Sequence, residues 1–171
     1  MVKFKFSNKK KFLIAEAGIN HNGKLKTALD LVDTEKTNGA DAIKFQTYKT
    51  EKRINKKYKK IFEILKNCEL GYEDFKKIND YCKKKKIIFF STPFDKEAVD
   101  FLETLKVPLY KVASFDISNY DLLKKIIATK KTTIVSTGMA NMLEIKKVYK
   151  FFRSHKVQLS LLHCVSSYPT E

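Results

Sequence analysis

From Ala42 the chain reads Ala42-Ile43-Lys44-Phe45-Gln46-Thr47, an apolar run with one lysine inside it that closes on polar residues. The same design recurs in FLIAEAGINHNG from Phe12, IIFFSTPFD from Ile87, LYKVASFD from Leu109, TIVSTGM from Thr133 and LSLLHCVSSYPTE from Leu159. Runs that are apolar almost throughout, rather than alternating, signal strands covered on both faces, as in parallel sheets. Their polar ends then fall at C-terminal strand tips, the edge where (β/α) proteins assemble active sites. One pattern therefore yields both a fold class and a list of candidate site residues.

Helix signals fill the intervals between the runs. Leu25, Ala28, Leu29 and Val32 recur at i, i+3, i+4 and i+7, with Gly39 as a stop. Phe75, Ile78 and Cys82 mark a helix before the third run. Asp95 is placed to cap a helix carrying Val99, Leu102 and Leu105, and Asn119 one carrying Leu122, Leu123, Ile126 and Ile127. Asn141 with Glu144 three residues later makes a capping box ahead of Ile145, Val148, Tyr149 and Phe152. The longer, Lys-rich interval from Tyr48 to Leu70 is expected to hold an irregular loop and a short helix around Ile61–Leu65. Strand and helix thus alternate, which demands a parallel sheet with helices outside. Two architectures fit: an open doubly wound sheet, or a (β/α)8 TIM barrel truncated after about six strands, since a complete barrel needs about 250 residues. The last residues, Tyr168-Pro169-Thr170-Glu171, come straight after a strand tip, where a domain usually adds a covering helix, so the stop reads as a truncation.

Composition narrows the function classes. With 43% hydrophobic and 32% charged residues the chain is globular rather than disordered. No apolar run reaches the ~18 residues of a membrane-spanning helix, and the basic N-terminus lacks the apolar segment and cleavage site of a signal peptide. Cys68, Cys82 and Cys164 have no paired spacing and read as reduced thiols of a cytoplasmic protein. No Cys/His grouping has zinc-site spacing. The formal net charge of +16 raises the question of nucleic acid. Nearly all of it is lysine, however, and the only arginines are Arg53 and Arg153. Arginine is the usual side chain for bidentate phosphate and base recognition. A solvated, Lys-rich surface that draws anionic substrates is the preferred reading, with neither nucleic acid nor membrane as partner.

The tips carry the chemistry. Lys44 and Lys111 lie inside apolar runs, where an ammonium needs an anion or a carboxylate partner. Two such lysines near strand tips point to a phosphate or carboxylate site, and a structural ion pair is the alternative. Ser91-Thr92, Ser114, Ser136-Thr137 and Ser166-Ser167 end four different strands and supply hydroxyl and N–H donors for a phosphate. Gly138 permits close backbone approach. Glu16 is a charged residue within the first run, either a general acid/base or a partner for Lys44 or Lys111. Asp116 is a candidate polyol ligand. His21 reads as a turn residue, with site lining as its alternative. His163 reads as a hydrogen-bonded structural histidine. It is not paired with a Cys164 nucleophile, because adjacent strand residues point to opposite faces.

IAEAGINHNG, IKFQTY, FFSTPFD, YKVASFD-x-x-NY, STGMA and LLHC-x-x-x-YPT together resemble the sialic acid synthase family, the phosphoenolpyruvate-dependent N-acetylneuraminate synthases. Their relatives make legionaminic and pseudaminic acids or serve spore-coat polysaccharide synthesis. The resemblance runs from about Phe12 to Glu171. It implies condensation of phosphoenolpyruvate with an open-chain N-acetylhexosamine such as N-acetylmannosamine, giving phosphate and a nine-carbon 2-keto sugar acid. It also implies a divalent metal, Mn or Mg, and a homodimer at full length. Matched by motif, Lys44, Thr92, Lys111, Ser114 and Ser136 are phosphoenolpyruvate-binding positions, and Glu16 is the carboxylate at the reacting centre. Gln46, Asp116, Ser166 and Tyr168 are sugar-binding or other site positions. Asp116 stands where N-acetylneuraminate enzymes usually carry Glu, and Ser166 where some members carry Asn. By the same resemblance, residues 1–171 form the N-terminal part of the synthase barrel. The metal-binding histidines and the C-terminal antifreeze-like domain are expected beyond Glu171, so these 171 residues alone are expected to be inactive.

Overall fold

The computed structural model describes Phe4, Phe6 and residues 11–167 and 169–170. The chain divides into two compact units: Phe6–Val107, and Pro108–Glu171, which also takes in Phe4.

The first unit contains β1 (Ile14–Gly18), α1 (Leu25–Thr37), β2 (Ala42–Thr47), α2 (Thr50–Arg53), α3 (Lys59–Asn67), α4 (Tyr72–Lys85), β3 (Ile88–Pro93) and α5 (Lys96–Thr104). Its strands are parallel and in chain order. Glu16 is in register with Lys44, and Gln46 with Thr92. The β1–β2 register shifts between Glu16 and Gly18, and Gly18 takes a left-handed φ of 55°. The bulge turns this tip, which is where the first candidate carboxylate sits. Ala28, Val32, Ile43, Phe45, Phe75, Ile78 and Phe90 are fully buried or nearly so. Phe45 packs on both Phe75 and Phe89, while Tyr72 stacks on Phe101 at 4.0 Å. Asp95 caps α5 by accepting from the Ala98 N–H at 2.7 Å.

The second unit contains β4 (Leu109–Val112), a 3-10 turn at Ser114–Asp116, α6 (Tyr120–Ala128), β5 (Thr132–Ser136), α7 (Met142–Ser154) and β6 (Leu159–Leu162). These strands too are parallel and in chain order, with Lys111 opposite Ile134 and Ser136 opposite Leu162. Leu109, Tyr110, Leu123, Ile126 and Phe152 form a fully buried core. Asn119 caps α6, and Asn141 with Glu144 closes the expected capping box on α7.

The interval from Tyr48 to Leu70 departs from expectation. It holds two helices, α2 and α3, where the sequence suggests one short helix and a loop. Glu69 is the reason: its carboxylate accepts from the Thr50 N–H at 2.9 Å and the Thr50 hydroxyl at 2.8 Å, and it pairs with Lys49 and Lys66. An anion at the first turn of α2 satisfies free N–H groups that the local sequence leaves open.

Candidate active site

In the first unit the site residues come from three strand tips. Lys44 is 7% exposed. Its ammonium meets Glu16 at 2.8 Å through Oε1 and 2.6 Å through Oε2, and it donates to the Thr92 hydroxyl at 3.3 Å. The Glu16 side chain is 55% exposed, so the pair has a dry cationic end and a wet anionic end. This settles which lysine Glu16 partners. Gln46, one step of alternation beyond Lys44, accepts through Oε1 from Arg53 at 3.0 Å. The Arg53 guanidinium lies 3.9 Å over the Phe94 ring and 4.6 Å over that of Tyr48. Burial pushes the Tyr48 phenol up to about 12, against the opposing pull of Arg53. Its hydroxyl donates to the Leu65 carbonyl at 2.9 Å. Ser91 does not join the site. Its hydroxyl bonds to that of Thr47 at 2.8 Å in the core, because neighbouring residues on a strand face opposite ways.

His21 sits in the turn after β1 and is 1% exposed. Its Nδ1 accepts from the Gly23 N–H at 3.2 Å, and its ring packs on Phe45. Burial holds its pKa below the usual imidazole range, opposed by a hydrogen bond to the Gly18 backbone. It is a neutral brace for the turn.

In the second unit Lys111 is 8% exposed. It donates to the Val112 carbonyl at 2.7 Å and to the Ser136 hydroxyl at 2.5 Å. Ser114, placed just past β4 by the 3-10 turn, accepts from the Gly138 N–H at 3.2 Å and lies 3.8 Å from Cys164 Sγ. Burial raises the Cys164 pKa, but hydrogen bonds from Ser136, Ser114 and the backbone at Thr137 and Gly138 outweigh it, and the thiol ends below its ordinary value. A group of donors that stabilises a thiolate also suits an anionic ligand oxygen. A Cβ on Gly138 would lie 2.8 Å from the Cys164 carbonyl oxygen and 2.9 Å from Ser166 Oγ, so this close approach does require glycine. Asp116 is buried and accepts from Asn119 Nδ2 at 3.0 Å, which ties it to the α6 cap. Thr137 turns away and donates to the Leu162 carbonyl at 2.8 Å. Ser166 is exposed, and Tyr168 lies outside the described residues. His163 is exposed rather than structural, because it follows β6, whose last residues are themselves exposed.

Among the described residues no three His, Cys, Asp or Glu side chains converge as a metal would need. Cys68, Cys82 and Cys164 are free thiols, and no helix among the described residues is long and apolar enough to cross a membrane.

The NeuB family profile matches residues 31–171. The chain belongs to the NeuB family. It is 37% identical to an N,N'-diacetyllegionaminic acid synthase of Campylobacter jejuni over 94% of its own length and 53% of that protein's. It is 45% identical to an uncharacterized protein of Methanocaldococcus jannaschii, covering 93% of itself and 47% of that relative. The crystal structure of an N-acetylneuraminic acid (sialic acid) synthetase from Leptospira borgpetersenii, in complex with citrate, is 39% identical. It matches with a TM-score of 0.91 over 94% of this chain and 56% of that one. The chain thus spans about half the length of the curated relatives it matches. Its fold is six strands of a (β/α)8 barrel, not a doubly wound sheet. Arg53 and the Glu69 anchor were not singled out by the sequence reading. The scarcity of arginine in so Lys-rich a chain was the available signal for the first.

Proposed function

We propose that this chain is part of an enzyme that condenses phosphoenolpyruvate with an open-chain N-acetylhexosamine such as N-acetylmannosamine, releasing phosphate and a nine-carbon 2-keto sugar acid. Family membership supports the reaction class. The observation that carries the substrate assignment is a buried lysine near the strand tip of each unit, bonded to a hydroxyl. Burying an ammonium costs several kcal/mol unless it is paired, so each of these lysines suits an anionic group of a substrate. Lys44, Thr92, Lys111, Ser114 and Ser136 hold phosphoenolpyruvate in this reading. Gln46, Asp116, Ser166 and Tyr168 are sugar-binding or other site residues, and Glu16 is the carboxylate at the reacting centre.

The chemistry follows from the reactants. The methylene carbon of phosphoenolpyruvate is its nucleophile, and the sugar aldehyde is the electrophile. A 2-keto acid and free phosphate then require one water. The cationic donors stabilise the departing phosphate, and the Glu16 carboxylate, held by Lys44, is positioned to accept or return a proton. A divalent metal, Mn or Mg, would polarise the aldehyde in the complete enzyme. The described residues do not supply its ligand set. The same observation favours a second reading for the 171 residues taken alone, an anion-binding fragment without turnover. The enzyme is assigned to the cytoplasm and to a homodimer.

Mass analysis after incubating the complete gene product with Mn, phosphoenolpyruvate and a panel of N-acetylhexosamines tests the proposal. One sugar should yield phosphate and a product heavier by the three-carbon keto-acid unit. Phosphoenolpyruvate left intact with every sugar would overturn it.

A further inference from the structure

Arg53 is one of two arginines, lies outside every motif quoted above, and is held by two aromatic rings and a hydrogen bond. Its guanidinium lies 3.9 Å over the ring of Phe94 and 4.6 Å over that of Tyr48, in the corner made where these two rings meet edge to face. It comes from α2, whose first residue is pinned by Glu69 and whose Lys52 pairs with Glu97. From this fixed position it donates to Gln46 Oε1 at 3.0 Å. A guanidinium has no acceptor, so the carboxamide can meet it only through its oxygen. The Nε2 group must then point the other way. It does so towards the Gly18 bulge, where a Cβ would lie 3.7 Å from Gln46 Nε2 and 3.1 Å from Glu16 Oε1. At this tip a fixed donor and a fixed carboxylate flank one small space, kept open because residue 18 is glycine with φ 55°.

We infer that Arg53 is a specificity-determining positioning residue: it locks the Gln46 carboxamide with its N–H groups presented beside Glu16, so that this tip selects a sugar bearing an oxygen acceptor there. The inference rests on the proposed reaction and deepens it. A free glutamine can turn its amide to suit either a donor or an acceptor, and so discriminates poorly. A locked one leaves a ligand donor facing a donor, with both groups unpaired, and such a mismatch is what gives polar sites their discrimination. The aromatic corner suits the task because two perpendicular ring faces hold the guanidinium while one of its N–H groups reaches Gln46.

Steady-state kinetics on the complete gene product test this with Arg53→Met, Arg53→Lys and Gln46→Glu. Arg53→Met keeps the stacked bulk and frees the amide. KM for the amino sugar should rise about tenfold or more, with KM for phosphoenolpyruvate and the thermal midpoint little changed. Gln46→Glu retains the link to Arg53 but presents no donor, and should raise the sugar KM at least as much. Arg53→Lys, which keeps a cationic donor group but not the planar fork, should recover part of the loss. Turnover by the unaltered protein with an unchanged sugar KM in Arg53→Met overturns the inference alone. Parallel rises in both KM values, with a fallen thermal midpoint, assign Arg53 a merely structural role and likewise overturn it. Absence of turnover by the unaltered protein with any hexosamine overturns the proposed reaction, and the inference with it.

Discussion

Replacing Lys44 with methionine separates a structural lysine from a binding one. The side chain keeps its length and apolar stem, so the core around Ile43 and Phe45 loses little packing. The ammonium disappears from a site only 7% exposed, which relieves its desolvation. Glu16 loses its partner, but with 55% of its side chain exposed it recovers water. The two changes offset each other, and the net stability cost should stay below about 1 kcal/mol. In a domain of this size that lowers the thermal midpoint by only about 2–4 °C. Binding responds differently. A hydrogen bond from an ammonium to an anionic substrate contributes about 1.5–3 kcal/mol, so kcat/KM for phosphoenolpyruvate should fall about 10- to 150-fold. Thermal melts and phosphate-release kinetics on the same preparation check both numbers. A midpoint lowered by ten degrees or more, with near-normal use of phosphoenolpyruvate, would show that the Glu16–Lys44 pair is a structural ion pair and refute the reasoning.

Other outcomes follow from the same physics. Burial raises the Glu69 pKa, but hydrogen bonds from Thr50 and the lysines Lys49 and Lys66 outweigh it and bring it down to about 2. The contribution to stability is complete above the ordinary carboxylate pKa and is lost as pH falls towards 2. Glu69→Gln should therefore cost at most about 3 kcal/mol at pH 7 and almost nothing near pH 2, as read by denaturant titration at both pH values. Gly138→Ala forces a methyl against the Cys164 carbonyl, so it should destabilise by about 1–3 kcal/mol and weaken phosphoenolpyruvate binding together, by melts and calorimetry. Lys86, at the end of α4, holds a left-handed φ of 56°, and Lys86→Gly should raise stability by up to about 1 kcal/mol.

The sequence carried the architecture because its signals there are local. Each apolar run, each cap at Asp95, Asn119 and Asn141, and each buried lysine can be read from a few neighbouring residues. The unread parts depend on contacts distant in sequence. Glu69 organises α2 from 19 residues away, and nothing around Thr50 announces it. The choice of Lys44 rather than Lys111 as the partner of Glu16 is set by the β1–β2 register, which no single strand encodes. Ser91 and Ser136 look alike as hydroxyls at strand ends. Only the alternation of faces sends one to Thr47 in the core and the other to Lys111. The contacts of Arg53 with the rings of Phe94 and Tyr48 leave no periodic trace in the sequence.

Equilibrium titration of phosphoenolpyruvate into the complete gene product, followed by calorimetry with the unaltered protein and Lys111→Met side by side, tests the anion assignment most directly. The account predicts saturable binding by the unaltered protein and at least a tenfold loss in Lys111→Met, with the fold retained. Equal affinity in the two proteins would contradict it.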